Sequence, residues 1–391
     1  MSPKAKTVLL SAAVELYLQS LADRASAATD RPHTQIAYAR ALRFFQKAVA
    51  EREGLDLAHT PAAEVSVDWL NPFLDEIKSY RTRTGAPLAP ASEQVYLAAI
   101  LGFYRFLKVQ RLADVDVGHA AALLHQRQRR VPEDERSFKS SDVERVIGWT
   151  RERVVAVHRN KSEKLRALRD YAFVLLLADT GLRVAEACRL TKGDLPKGKG
   201  RLKLFIRVKG GRQSQVLLTH RALAALRAYL RHRQKLDEQF LQQQAGRPAA
   251  ERVKADALPL FAQHSPLTEA RLRKGAADER PGEEPAAIVL LRRWEVSGAE
   301  AMLRTTCAAV FGDEPQPDPY ARARVTPHSF RHYYITQVLR RSGGNLKLAQ
   351  RLARHKDISV TQRYAHVEDQ ELEEQYRKLF DEGRPAEDEE Y

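Results

Sequence analysis

The sequence predicts a mainly α-helical protein with a small β-sheet, divided into a helical N-terminal domain and a larger α+β domain. Three observations lead there. Apolar residues recur at helical spacing through most of the first 125 residues. One pair of β-rich runs near residues 202–219 meets at Lys209-Gly210-Gly211-Arg212, a Gly-Gly hairpin signal. A basic, polar stretch at 126–137 has no apolar period and separates the two regions. At roughly 100–200 residues per domain, 391 residues leave room for two or three.

The elements follow in order. The apolar run from Val8 to Val14 is cut by Glu15 and continues at helical spacing through Leu16, Leu18 and Leu21. That pattern predicts an amphipathic first helix over about 7–22 rather than a signal peptide. A second helix runs over 33–50 with Ile36, Tyr38, Leu42, Phe45 and Val49, and a third over about 67–80. A fourth starts after Pro90 and carries Val95, Leu97, Ile100, Leu101, Tyr104 and Leu107. Asp30-Arg31-Pro32, Gly54, Thr60-Pro61 and Thr84-Gly85-Ala86-Pro87 punctuate this first domain, residues 1–125. The linker over 126–137 holds Arg127, Arg129, Arg130 and Pro132, and its charges suit either a phosphate backbone or plain solvation.

The second domain spans 138–380. Leu165 to Ala178 is a strongly apolar helix that stops at Thr180-Gly181, and a short helix follows through Leu190. Strands are expected over Leu202–Val208 and Gln215–Thr219, then an Arg- and Leu-rich helix over about 220–240. Residues 242–298 are rich in Ala, Pro, Gly and charge, with short apolar pieces at Leu258–Phe261 and Ile288–Leu291. They read as a loop-rich insertion. Helix resumes near Ala299, breaks at Gly312, and Pro315, Pro317 and Pro319 lead to Thr326-Pro327. The end, 381–391, is an acidic tail.

Composition narrows the function classes. Apolar residues are 43% of the chain, too many for a mostly disordered protein. No apolar stretch approaches the roughly 18–20 residues of a membrane-spanning helix, so no membrane partner is expected. The only two cysteines, Cys188 and Cys307, exclude a disulfide scaffold and a cysteine-rich zinc module and fit a reducing, cytoplasmic setting. Lys and Arg number 65 against 50 Asp and Glu, a formal charge of +15. Val367–Tyr391 holds eleven acidic residues against Arg377, Lys378 and Arg384, a local charge of −8, which leaves +23 on the rest. A body that basic suits a polyanion.

Three segments carry chemistry. Thr326-Pro327-His328-Ser329-Phe330-Arg331-His332 begins with a capping residue and a Pro, so His328 and Arg331 share a face of a first helical turn. Such a turn reads as a phosphate site with a titratable neighbour, or as a cap with two surface cations. A metal site at His328 and His332 has no Glu or third ligand to complete it. In Asp179-Thr180-Gly181-Leu182-Arg183-Val184-Ala185-Glu186, Glu186 can hold one edge of Arg183 and leave the other for an anion. The same stretch also fits a helix-turn-helix or a surface ion pair. The third segment, Leu352 to His366, sets His355 nine residues before Tyr364. A tyrosine, ordinarily titrating near 10, becomes a useful nucleophile beside arginines and a bound phosphate.

Taken together, these segments resemble the tyrosine recombinases, the family of phage integrases and Xer recombinases. The motifs fall in the family's order: Arg183 with Glu186, Lys209 on a hairpin, His328 with Arg331, His355 and Tyr364. The resemblance implies a helical core-binding domain that clamps DNA and an α+β catalytic domain. It also implies metal- and ATP-independent transesterification of double-stranded DNA through a 3′-phosphotyrosyl bond, with no cofactor. Arg183 and Arg331 would hold the non-bridging oxygens, Lys209 act as general acid, His328 accept the tyrosine proton, and His355 donate to the phosphate. Glu186 would support Arg183, and Arg127, Arg129, Arg130 and Arg212 are candidate DNA contacts. The family further implies a tetramer on paired sites, with the C-terminal segment docked on a neighbouring subunit. Arg354 departs from the family, which usually has Gly there. A type IB topoisomerase or hairpin-forming resolvase would use the same residues. A non-catalytic DNA-binding regulator would explain the charge but not the Lys, His and Tyr series.

Overall fold

In the computed structural model the described residues are 8–23, 32–56, 58–82, 85–127, 139–196, 202–207, 213–244, 246–264, 291–314, 323–355 and 357–362. Contacts group them into two units, which divide at residues 135 and 136.

The first unit is helical. It contains α1 (Leu10–Asp23), α2 (Pro32–Glu53), α3 (Leu70–Ser79), α4 (Pro90–Val109) and α5 (Val117–Arg127). Phe45 is fully buried and meets Phe73 and Tyr104 edge-on, with ring centroids 5.7 and 6.1 Å apart. α1 crosses α4 closely at Gly102, where a Cβ would lie 2.2 Å from the Tyr17 hydroxyl. Three members of the expected apolar stripes are exposed, Leu16, Ile36 and Val95. Val95 stands two positions before the buried Leu97, about 200° around the helix. α5 runs through His125 and Arg127, so the basic stretch expected to open a linker begins as the end of a helix. Arg127 is exposed there; Arg129 and Arg130 lie outside the described residues.

The second unit is built on α7 (Lys161–Thr180), flanked by α6 (Ser140–Val155) and α9 (His220–Gln243). The Asn160 side chain accepts from the Glu163 amide at 2.9 Å and starts α7. From Leu165 onward α7 is buried on nearly every side, as a helix apolar all round must be. It ends at Gly181 in the left-handed conformation, φ +59°. Then come α8 (Val184–Arg189) and a hairpin of β1 (Lys203–Arg207) and β2 (Gln213–Leu217). The hairpin register runs from Lys203 opposite Leu217 to Arg207 opposite Gln213. β2 starts two residues before its expected position because Gln213 and Ser214 pair through the main chain, which needs no apolar side chain. The chain closes with α10 (Val296–Phe311), α11 (Pro327–Arg341), α12 (Leu346–Ala353) and α13 (Ser359–Gln362).

The expected insertion over 242–298 needs correction. Leu258, Leu260, Phe261 and Ala262 are fully buried, and Phe261 stands edge-on to Phe173 of α7 at 5.0 Å. Short bridges join Pro259 to Thr191 and Ala262 to Arg293. Arg233 of α9, itself fully buried, donates to the carbonyls of Pro259 and Leu260 at 2.9 Å each. This piece is therefore core. It has too few residues to show a period, and its partners lie far away in the chain. Residues 265–290 of the expected insertion are outside the described set.

Candidate active site

Three segments of the second unit converge. Arg183 caps α8 just after the left-handed Gly181, with the fully buried Leu182 as anchor. Glu186, one turn on, accepts from the Arg183 amide at 2.9 Å through Oε2 and from Arg183 Nη1 at 3.2 Å through Oε1. The Arg183 side chain stays 58% exposed while Glu186 is 12% exposed, so the carboxylate is a fixed support and the guanidinium faces outward. α8 has six residues and turns Ala187 and Cys188 into the core, which leaves no long face to read a groove.

α11 begins with reciprocal caps. Thr326 Oγ1 accepts from the Ser329 amide at 3.4 Å, and Ser329 Oγ accepts from the Thr326 amide at 3.0 Å. Pro327 fills the first helical position and Phe330 is buried, so His328 and Arg331 are held in the first turn. Arg331 is 3% exposed. Its Nη1 donates to the Gly181 carbonyl at 2.5 Å, and its Nη2 to the Ala353 carbonyl. One guanidinium thus ties the α7–α8 turn to the end of α12. Tyr333 and Tyr334 pack rather than project. Tyr333 donates to Glu144 at 3.2 Å, and the Tyr334 ring lies against Gly181.

After α12 the chain turns at Arg354, and His355 follows with its amide bonded to the Gln350 carbonyl at 3.1 Å. His355 Nδ1 lies 2.9 Å from the hydroxyl of Thr361, a fully buried residue of α13. Sequence reading passed over Thr361; a hydroxyl six residues after the histidine gives no local signal. Arg354 is one of two non-glycine residues with positive φ among the described residues, at +58°. That conformation costs roughly 1–2 kcal/mol for a residue with a Cβ, which accounts for Gly as the usual occupant of such a cap. Lys209, Arg212 and Tyr364 lie outside the described residues. Lys203 opens β1 at the far end from the turn, opposite Leu217.

The electrostatics follow from burial among cations. Burial and the neighbouring Arg331 and Arg183 hold the His328 imidazole below its usual range. The same three influences, burial first, bring His355 down to about 4. His332, whose ring stands 4.5 Å from that of His328, also falls to about 4 through burial, then His328 and Arg331. At neutral pH these rings are uncharged, and each keeps a nitrogen lone pair able to accept a proton.

Residues 149–281 and 282–371 match the sequence profile of the phage integrase family, more than half of the chain. The chain belongs to this family, the tyrosine recombinases. A tyrosine recombinase XerC of Pelobacter propionicus is 27% identical over 360 residues, 92% of this chain and 93% of that protein. A XerD of Brucella melitensis is 26% identical over 386 residues, 98% of this chain and all of that one. Among solved structures, the XerH recombinase bound to its palindromic difH substrate after cleavage superposes with a TM-score of 0.57 at 15% identity, covering 94% of each chain. The Tn1549 transposon integrase in complex with circular intermediate DNA gives 0.54 at 16%, covering 93% of this chain and 98% of that one. These two share the fold. Arg183, Glu186, His328, Arg331 and His355, the residues singled out in the sequence, all lie in the convergence described above.

Proposed function

We propose that this tyrosine recombinase cuts and rejoins double-stranded DNA at specific sites, with Tyr364 as nucleophile. The Tyr364 oxygen attacks the scissile phosphorus, a 3′-phosphotyrosyl bond forms, and the bond to the 5′-oxygen breaks. The tyrosine proton passes to neutral His328, and Lys209 supplies a proton to the departing 5′-oxygen. Arg183 and Arg331 face the non-bridging oxygens, where negative charge grows in the transition state. The bond energy is kept in the phosphotyrosyl link, so a new 5′-hydroxyl can reverse the step without ATP. The observation that carries this reading is the meeting of Arg183, Arg331 and His355, drawn from segments far apart in sequence, with His328 and His355 kept neutral by burial and by the adjacent cations.

Residues 1–125 would bind the duplex together with the catalytic domain over 138–380, and Arg127, Arg129, Arg130 and Arg212 would contact phosphates. Four subunits would assemble on two sites, in the cytoplasm. The decisive test is adduct formation on a nicked suicide substrate. Tyr364→Phe should abolish the covalent complex and leave DNA affinity within about twofold, since only one hydroxyl is removed. An adduct that survives this substitution overturns the nucleophile assignment. Strand exchange between two sites, rather than relaxation of supercoils alone, distinguishes the recombinase from a topoisomerase-like enzyme.

A further inference from the structure

Glu186 serves two arginines. Its Oε2 accepts from the Arg183 amide and also lies 2.9 Å from Nη2 of Arg354, 168 residues further along the chain. The Arg354 side chain is 13% exposed, and its Nε and Nη1 are sealed from solvent with no hydrogen-bond partner among the described residues. A guanidinium buried with two unmatched donors, on a backbone that suits glycine, is costly on both counts. Among the described residues its strong contact is the ion pair with Glu186. Packing alone would favour a smaller or neutral side chain, so the contact itself needs an explanation.

The charges supply one. Without Arg354, Glu186 would be a nearly buried carboxylate whose remaining cation is Arg183. That pairing would draw Arg183 inward and set a negative charge beside an incoming phosphate. With Arg354 present, the three side chains carry a net single positive charge, and the carboxylate has a second, buried cation. Arg183, more than half exposed, can then turn an N–H edge outward while Glu186 still fixes its amide. Burial and Arg183 nearby make Arg354 a weaker base than usual, while Glu186 acts in the opposite direction.

We propose that Arg354 is a positioning residue that neutralises Glu186 and so keeps Arg183 available to the scissile phosphate. This rests on the recombinase reading, in which Arg183 meets that phosphate.

The test is the single-turnover rate of adduct formation on the suicide substrate, beside DNA affinity and thermal midpoint, for the full-length chain. Arg354→Gly should slow adduct formation by about tenfold or more, because a charge-assisted contact is lost from the step that needs it. Its affinity for the site should stay within about threefold, and its thermal midpoint should not fall, since glycine suits the turn. Arg354→Asn, which also tolerates the turn, should behave the same way, and Arg354→Lys should regain most of the rate. In a Glu186→Gln background, Arg354→Gly should cost less than about threefold, because no carboxylate remains to neutralise. Wild-type rates in the Gly and Asn variants, or an undiminished loss in the Gln background, overturn the inference alone. A wild-type protein that forms no tyrosine-linked adduct overturns the recombinase chemistry and this inference with it.

Discussion

At the scale of single residues, His264 shows how burial sets a pH dependence. Its Nε2 lies 2.8 Å from the Tyr229 hydroxyl, and burial followed by Arg169, Arg233 and Arg166 holds its pKa down to about 3. In the unfolded chain the same ring titrates near 6.5. Between those values the unfolded state binds a proton that the folded state refuses, so stability falls as pH drops from 6.5 toward 3. Above 6.5 the ring is neutral in both states and contributes no slope. The loss is about 1.4 kcal/mol per pH unit within that window. His332 and His355 are depressed in the same direction and add to it. Replacing His264 with Gln, which can still bond Tyr229, should narrow the difference between urea midpoints measured at pH 7.5 and pH 5.5. An unchanged difference would show that His264 is not a source of the slope.

At the scale of elements, the segment Leu258–Ala262 behaves as part of the core although it forms no helix or named strand. Phe261 is fully buried between Phe173 and Tyr229. Phe261→Ala should cost about 3–5 kcal/mol in a urea titration, the usual penalty for emptying an aromatic site in a packed core. A loss under about 0.5 kcal/mol, the ordinary figure for a surface position, would return the segment to a loop. The contrast with α7 explains what the sequence made legible. A run from Leu165 to Ala178 announces a buried helix by its own composition, and Thr180-Gly181 announces its end. Five residues at 258–262 announce neither, because their burial depends on Arg233, Thr191 and Arg293. The site divides in the same way. The caps of α11 and the Gly181 turn are local and were readable. Arg331 reaches a carbonyl 150 residues away and Arg354 a carboxylate 168 away, and nothing local specifies either partner.

At the scale of the molecule, charge is unevenly shared, with +23 up to His366 and −8 beyond it. The residues after His366 lie outside the described set, and the sequence there gives Leu372, Tyr376, Leu379 and Phe380 an apolar spacing among acidic neighbours. In the tetramer proposed above, this segment would dock on the basic body of an adjacent subunit rather than on its own domain, where opposite charge would favour the right partner and discourage contact with DNA. Truncation after His366 should keep single-site binding in a mobility-shift assay and lose the paired-site complex and coordinated strand exchange. Normal recombination by the truncated protein would remove the exchange model.

The mooring of Arg331 has a consequence for how this protein can drift over generations. Two of its donors rest on the main-chain oxygens of Gly181 and Ala353, which every amino acid carries. No side-chain exchange at either position can delete those oxygens, so the guanidinium is insured against the commonest kind of genetic error. What an exchange can do is bend the backbone that presents them. Gly181, at φ +59° and with the Tyr334 ring 2.4 Å from where a Cβ would stand, is the weak point of that insurance. The oxygen at residue 181 would survive any exchange there, but the turn that aims it would not.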